Sequence, residues 1–263
     1  MSLQRRRPKP GARQIRPGKL PRILDAAQLW IKNIVYNLPV PPVQSSSRPL
    51  LVLFAKAPVP GRVKTRLAAE WGEEAAAGLH SAFVLDTLEK LRQFNKFADL
   101  ELHTDISTDA WGETGVARDL QVAGTLELKL IHALSRGLDQ GRSVVMILGS
   151  DSPTLPDECI HRLLESRADV ALGPCEDGGY YAIACRRVAS EMFTGVKWST
   201  GHVLEQTERA AGACGLAVER GQLWYDVDFP ADVMRLAAES RLPRHTREIL
   251  RKLAIAGPAE RKH

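Results

Sequence analysis

The sequence predicts a three-layer α/β/α sandwich built on a mainly parallel, mixed sheet, and three observations carry that prediction. The run Leu50–Ala55 and the core of 143–149, Val144 to Leu148, are continuously apolar, as strands covered on both faces are. Strand-like and helix-like segments alternate along the chain, the order that builds a parallel sheet. The two strongest strands also end in polar punctuation: two prolines and a glycine follow the first, and Ser150-Asp151-Ser152-Pro153 follows the second.

The elements are expected in the following order. Residues 1–21 are rich in Arg, Lys, Pro and Gly and read as a disordered basic tail. Residues 22–48 read as an appended amphipathic helix, with apolar positions from Ile23 to Leu38, and a Pro/Ser linker. Three roles compete for that helix: docking on the domain or on a partner protein, lying on a membrane surface, or serving as a targeting segment. Asp25 and Lys32 interrupt what would have to be a secretory apolar core, so the chain is expected in the cytoplasm of a bacterium, with any membrane association made through residues 22–38. The folded domain spans 49–240. After the first strand, 73–97 reads as a helix with Ala76, Leu79, His80, Phe83, Leu88 and Leu91 inward, His80 being a satisfied core histidine. Strand 100–104, polar loop 105–115, helix 126–138, strand 143–149, helix 156–166, strands 169–172 and 180–184, helix 201–213, strand 216–219 and helix 230–239 follow. Residues 241–263 read as a basic amphipathic helix with a solvated face, then a tail.

Composition narrows the function classes. The chain has 263 residues, 44% apolar and 25% charged, and a formal charge of +5, ordinary values for a globular protein of one large domain. Residues 1–47 hold nine Lys and Arg against one acid, Asp25. More than the whole positive excess therefore lies in that segment, and the remainder is net acidic. A nucleic-acid function for the main domain gets no support from the charge. The four cysteines are scattered without a Cys-x-x-Cys pair, which argues for reduced thiols and against a zinc site or disulfide framework. No run approaches the ~18 apolar residues of a membrane span.

The chemistry is expected at strand ends, where open α/β sheets bind ligands. Lys56, Arg62, Lys64 and Arg66 converge where the first strand gives way to a loop, a setting for a polyanion such as a nucleotide diphosphate; a solvated basic turn is the alternative. Asp151 follows the central strand, placed to hold Mg²⁺ or Mn²⁺ through oxygen ligands, or to cap the next helix in competition with Asp157. Asp226 and Asp228, two apart on an extended segment, point the same way; Asp151 with Asp228 would join two distant segments on one metal. Asp232 falls in the first turn of the following helix, where it complements the dipole. In Glu176-Asp177-Gly178-Gly179-Tyr180 the paired glycines allow close backbone approach, and Asp177 is a candidate general base for an incoming hydroxyl. Trp198-Ser199-Thr200 is either an N-cap beside a buried indole or a wall of an acceptor site. No G-x-G-x-x-G, Walker or Ser/His/acid pattern is present.

Five segments carry a resemblance: Lys56-Ala-Pro-Val-Pro-Gly-Arg-Val-Lys-Thr-Arg-Leu67, Leu148-Gly-Ser-Asp-Ser-Pro153, Leu172-Gly-Pro-Cys-Glu-Asp-Gly-Gly-Tyr-Tyr181, Trp198-Ser-Thr200 and Asp226-Val-Asp-Phe-Pro230. In that order and spacing they resemble the small bacterial GT-A-type glycosyltransferases, including members attached to arsenosugar biosynthesis. More distantly they are similar to phospholactate and molybdenum-cofactor guanylyltransferases. The resemblance spans residues 50–240 and implies a nucleotide-diphospho-sugar transferase fold. It implies that Lys56, Gly61, Arg62, Lys64, Thr65 and Arg66, with Lys129, serve the nucleotide, Lys64 and Arg66 acting on its phosphates. Asp151 would hold the divalent metal, with Asp228, or Asp226, as second ligand. Asp177 would be catalytic, and Gly178, Gly179, Tyr180, Trp198, Ser199 and Thr200 would face the acceptor or sugar. One departure stands out. The family's Gln-Gly-x-Gly-Asp-Leu-Gly-x-Arg-Met pattern corresponds to 121–130, where Thr125, Glu127 and Lys129 replace its Asp, a Gly and its Arg.

The leading expectation is therefore metal-dependent transfer of a sugar from a nucleotide diphospho-sugar to a small acceptor. The first alternative is nucleotidyl transfer, in which a phosphorylated acceptor attacks an NTP and releases pyrophosphate. The second is a degenerate nucleotide-binding scaffold, for which the altered 121–130 segment speaks.

Overall fold

The computed structural model describes residues 48–255. The expected basic tail, the appended helix, most of its linker and the last eight residues lie outside the described residues. Within them the chain runs β1 (Leu50–Ala55), α1 (Thr65–Trp71), α2 (Glu73–Leu91), β2 (Asp99–Thr104), β3 (Ala117–Leu120), α3 (Leu126–Asp139), β4 (Val145–Leu148), α4 (Asp157–Glu165), β5 (Val170–Pro174), β6 (Tyr180–Cys185), α5 (Val203–Ala213), β7 (Val218–Arg220), α6 (Pro230–Ala237) and α7 (Arg244–Lys252). The seven strands form one sheet in the order β3-β2-β1-β4-β6-β5-β7. Every pairing is parallel except those of β6, which runs against both its neighbours. The expected three-layer α/β fold with a mainly parallel mixed sheet is the fold observed.

The alternation of side chains along a strand explains why the central runs are apolar throughout. Leu51 and Leu53 of β1, with Met146 and Leu148 of β4, point into a cluster covered by α2 and α4 through Val84, Leu88, Ile160 and Leu163. Leu50 and Val52, with Val145 and Ile147, point to the opposite face, where α3 and α5 supply Leu130, Leu134, Leu204 and Ala211. Each such fully buried side chain contributes roughly 1.5–3 kcal/mol. A third cluster joins Leu67, Leu79 and Phe83 to Val233, Leu236 and Leu250. It docks α6 and α7 onto α2.

Three expectations need correction. The single helix expected over 73–97 is a helix and a turn, preceded by a further short helix. Gly72, at φ 86°, separates α1 from α2, and a 3₁₀ turn over Arg92–Lys96 ends the stretch. Thr65 and Arg66 therefore open a helix instead of closing a loop. β3 has no counterpart in the sequence pattern, because all four of its residues are exposed on the sheet edge and carry no apolar periodicity. Finally, α7 is more than a solvated face: Thr246 and Leu250 are buried, and the buried Asp86 of α2 accepts hydrogen bonds from the amides of His245 (2.9 Å) and Thr246 (2.7 Å).

The topology locates the site. Strand β1 lies between β2 and β4, so the chain leaves it in one direction and returns on the other side. That reversal leaves a crevice beyond the carboxyl ends of β1 and β4. Because β6 is reversed, its first residues reach the same edge.

Candidate active site

A cleft at that edge has two connected lobes. The first, of about 720 Å³, is lined by the loop after β1, the loop after β4 and the start of α3, through Lys56, Arg62, Lys64, Thr65, Arg66, Lys129, His80, Gln121, Asp151 and Asp228. The second, of about 500 Å³, lies over the start of β6, with Asp177, Gly179, Tyr180, Trp198, Ser199, Thr200, Asp226 and Phe229. Phe54, Arg66, Leu126, Gly149, Asp151, Ser199 and Asp228 line both.

The opening loop is held by buried polar contacts. Asp105, at the end of β2, accepts from the Ala57 amide at 2.7 Å and pairs with Arg62 at 3.3 Å. The His80 ring nitrogen Nε2 donates to the Lys56 carbonyl at 2.9 Å, as a satisfied buried histidine does. Gly61, at φ 76°, turns the loop and lines neither lobe. Lys64 then adopts a left-handed backbone (φ 45°, ψ 43°) just before α1, a conformation that costs a non-glycine residue of the order of 1 kcal/mol. It persists because the Lys64 side chain is locked in place.

That lock is the centre of the site. The Lys64 ammonium contacts Asp151 Oδ1 at 2.6 Å and Asp228 Oδ1 at 2.8 Å, and donates to the Val227 carbonyl at 2.8 Å. An ammonium has three donors, and all three are engaged. The Lys64 side chain is 5% exposed, against 40% for Asp151 and 32% for Asp228, and its ammonium lies 5.8 Å from the centre of the core Phe83 ring. The lysine thus approaches from beneath, and the carboxylates face the cleft. Burial alone would lower the proton affinity of Lys64, but the charges of Asp151 and Asp228 outweigh it and raise it above the ordinary lysine value. Desolvation likewise opposes ionisation of Asp151, and Lys64 overrides it, holding the carboxyl below the usual range. Arg66 pairs with Asp228 at 3.5 Å and stacks over the Phe229 ring at 4.7 Å.

Asp226 and Asp228 both line the cleft, as their spacing requires, because the alternating residues Tyr225 and Val227 are buried in the core. Their environments differ. Asp226 accepts from Ser152 and from the Cys175 thiol. Burial, and next the Asp151 charge, push it up to about 6. Asp151 and Asp228, from two distant segments, share the Lys64 ammonium and remain accessible from the cleft. Carboxylate oxygens of this kind suit a hard divalent cation. With Asp226 the pair does not form a close three-ligand cluster among the described residues.

The turn 175–179 and the loop 198–202 are packed together. A Cβ on Gly178 would lie 2.0 Å from the Gly201 carbonyl oxygen, and Gly178 itself sits at φ 86°. The glycine is required for this close approach and is not part of the lining. The Leu204 amide donates to the Gly178 carbonyl at 2.9 Å. Asp177 accepts from the Gly179 amide at 2.8 Å and stays exposed on the rim. Of the two readings of Trp198-Ser199-Thr200, the N-cap fails: His202 precedes α5 without a side-chain cap, and Thr200 donates to the Lys197 carbonyl. The segment is a wall, with Ser199 in a left-handed conformation (φ 62°). Asp151 is not a cap either, since Pro156 occupies that position before α4. Asp232 has the structural role expected of it, accepting from the Asp228 and Phe229 amides.

Electrostatically the lobes differ. Lys56, after β1, and Lys129, in α3, line the first lobe and have no ion pair among the described residues. In the second lobe Arg66 is the one lysine or arginine among the described lining residues, facing Asp151, Asp177, Asp226 and Asp228. Phe229, Leu126 and Cys175 stand inside the motifs read from the sequence, which give them no role; Phe229 and Leu126 line the cleft and Cys175 donates to Asp226. In the altered segment, Thr125 caps α3 by accepting from the Leu128 amide, so the replaced residue still has a structural use.

Residues 94–200 match the DUF2064 family model, described as an uncharacterized protein conserved in bacteria. No curated protein matches the sequence. The fold is similar to that of a candidate nucleotide-diphospho-sugar transferase from Desulfovibrio desulfuricans G20, with a TM-score of 0.71 and 30% identity over 79% of this chain and 95% of that one. Two weaker likenesses carry no argument. One is to CMP:2-keto-3-deoxy-manno-octonic acid synthetase complexed with CTP (TM-score 0.48, 14% identity, 72% and 96% covered). The other is to the 4-diphosphocytidyl-2C-methyl-D-erythritol synthase of Anaerococcus prevotii DSM 20548 (0.47, 12%, 71% and 94%).

Proposed function

Because the chain belongs to the same family as the Desulfovibrio protein, we propose that it is a transferase that takes a nucleotide-activated donor, and specifically a glycosyltransferase acting from a nucleotide diphospho-sugar onto a small acceptor. The observation that carries this reading is the contrast between the two lobes. The basic lobe suits a diphosphate, whose negative charge grows as the sugar bond breaks; Lys56, Lys129, Arg62 and Arg66 stabilise that charge. The second lobe is aromatic and acidic. It suits an uncharged sugar and a hydroxyl acceptor, and it disfavours the phosphorylated acceptor that nucleotidyl transfer requires. Asp177, on its rim, is the group proposed to accept the acceptor's proton. A Mg²⁺ or Mn²⁺ ion is part of the proposal, to be held by Asp151 and Asp228 with Asp226 nearby; when bound it would shield the diphosphate charge. Kinship with the GT-A-type glycosyltransferases, including those attached to arsenosugar biosynthesis, belongs to the same proposal and is supported by the order of the five motifs.

The reading is tested by incubating the protein with Mg²⁺ and panels of NDP-sugars and NTPs, each with hydroxyl and phosphorylated acceptors. Release of a nucleoside diphosphate from an NDP-sugar is the expected product. Pyrophosphate released from an NTP with a phosphorylated acceptor would replace glycosyl by nucleotidyl transfer. Binding without turnover of any pair would leave a nucleotide-binding scaffold.

A further inference from the structure

The opening basic motif contains one cation that cannot serve a phosphate as it stands. Lys64 directs its three donors to Asp151, Asp228 and the Val227 carbonyl, so none remains for a ligand. The residue sits in a left-handed backbone conformation, and its side chain is far more buried than the two carboxylates it joins. Nζ holds one oxygen of each carboxylate, the same two groups that a divalent cation would share. We propose that Lys64 is the resident counter-ion of this acidic pair, and that a divalent cation and the Lys64 ammonium are alternative partners of it.

The physical argument is one of charge. Two carboxylates brought together at a half-buried strand end repel each other unless a cation joins them. Lys64 supplies one positive charge from within the chain, which keeps the pair assembled before any ligand arrives. A divalent ion taking the same oxygens must displace the ammonium from at least one of them, and it works against the attraction that Lys64 already provides. Lys64 is then a positioning residue that sets metal affinity, and the phosphate contacts fall to Lys56, Lys129, Arg62 and Arg66. This rests on Asp151 and Asp228 being the cation site and not on which group is transferred, so it can fail while the glycosyltransferase reading stands.

The test uses the full chain and Mn²⁺ alone, without nucleotide. Free Mn²⁺ is followed by electron paramagnetic resonance for the wild type, Lys64→Met and Lys64→Met/Asp151→Asn. The expected result is Mn²⁺ binding at least about tenfold tighter in Lys64→Met, as removal of a competing charge requires, with the gain lost in the double variant. Affinity that is unchanged or weaker in Lys64→Met overturns the proposal, as does absence of Mn²⁺ binding in both proteins. Should Lys64→Met fail to fold, the wild type provides a second readout through amine acetylation located by mass spectrometry. Lys64 is expected to be protected in the metal-free protein and modified once Mn²⁺ saturates; equal protection in both overturns the proposal.

Discussion

The amide of Val227 donates to the carbonyl of Asp151 across 2.8 Å. Through that hydrogen bond the segment bearing Asp226 and Asp228 is laid against the end of β4, and the Asp151 and Asp228 carboxylates, 77 positions apart in the chain, meet on one ammonium. Lys64 closes the arrangement from the other side. The proposed chemistry depends on this junction.

If Lys56 and Lys129 grip the diphosphate, alanine at either should weaken binding of a nucleoside diphosphate about tenfold, the loss of one charge-assisted contact. Neither side chain has an ion pair among the described residues, so the unfolding midpoint should not move. Calorimetric titration of each variant with a nucleoside diphosphate, beside a thermal melt, checks both halves of the statement.

Gly178→Ala should destabilise the protein by about 3 kcal/mol, because the new Cβ meets the Gly201 carbonyl and the backbone is left-handed there. Gly212, where an added methyl would have nothing within 4 Å, is the control: Gly212→Ala lies inside α5 and should be neutral or stabilising. Urea unfolding of the two variants against the wild type measures the difference.

His80 makes stability depend on pH. Burial holds its pKa below the ordinary 6.5, so between that lowered value and 6.5 the unfolded chain binds a proton that the native protein does not. Stability from this group therefore rises with pH through the window and is lost as pH falls below 6.5. His80→Gln, which can still donate to the Lys56 carbonyl, should flatten that part of the profile. Denaturation at a series of pH values between 5 and 8, taken as wild type minus variant, isolates it from Asp226, whose raised pKa of about 6 acts in the opposite direction.

Asp86→Ala should release α7. The Asp86 carboxylate takes two amides at the start of that helix, and a nine-residue helix is unstable on its own. Loss of about 2–3 kcal/mol is expected, with faster amide exchange over 244–252 and unchanged exchange in β1 and β4.

Much of this molecule is legible in the sequence because the signals are local. An apolar run such as Val145–Leu148 implies a strand covered on both faces, and its partners need not be known. Strand-end residues such as Asp151 follow from where the run stops. The alternation of Tyr225, Asp226, Val227 and Asp228 tells which side chains share a face. Failures come where no local signal exists. β3 exposes every residue, so nothing in its pattern marks it, and the seven residues of α1, with Leu67 alone buried, are too short to show a helical period. Phe229 and Leu126 become site residues only through the folding of segments about a hundred residues apart.

By itself the sequence determined the fold class, the edge of the sheet at which the cleft lies, and the acidic and basic groups that gather there, since each follows from periodicity and strand order. Tertiary structure alone decided what Lys64 does. Its motif marks it as one of four cations beside a phosphate site, yet its ammonium is bonded to carboxylates 87 and 164 positions away. Which charges neutralise one another inside a protein depends on distances across the fold, and no local pattern encodes them. The same is true of the contrast between the basic and the acidic lobe, on which the proposed reaction rests.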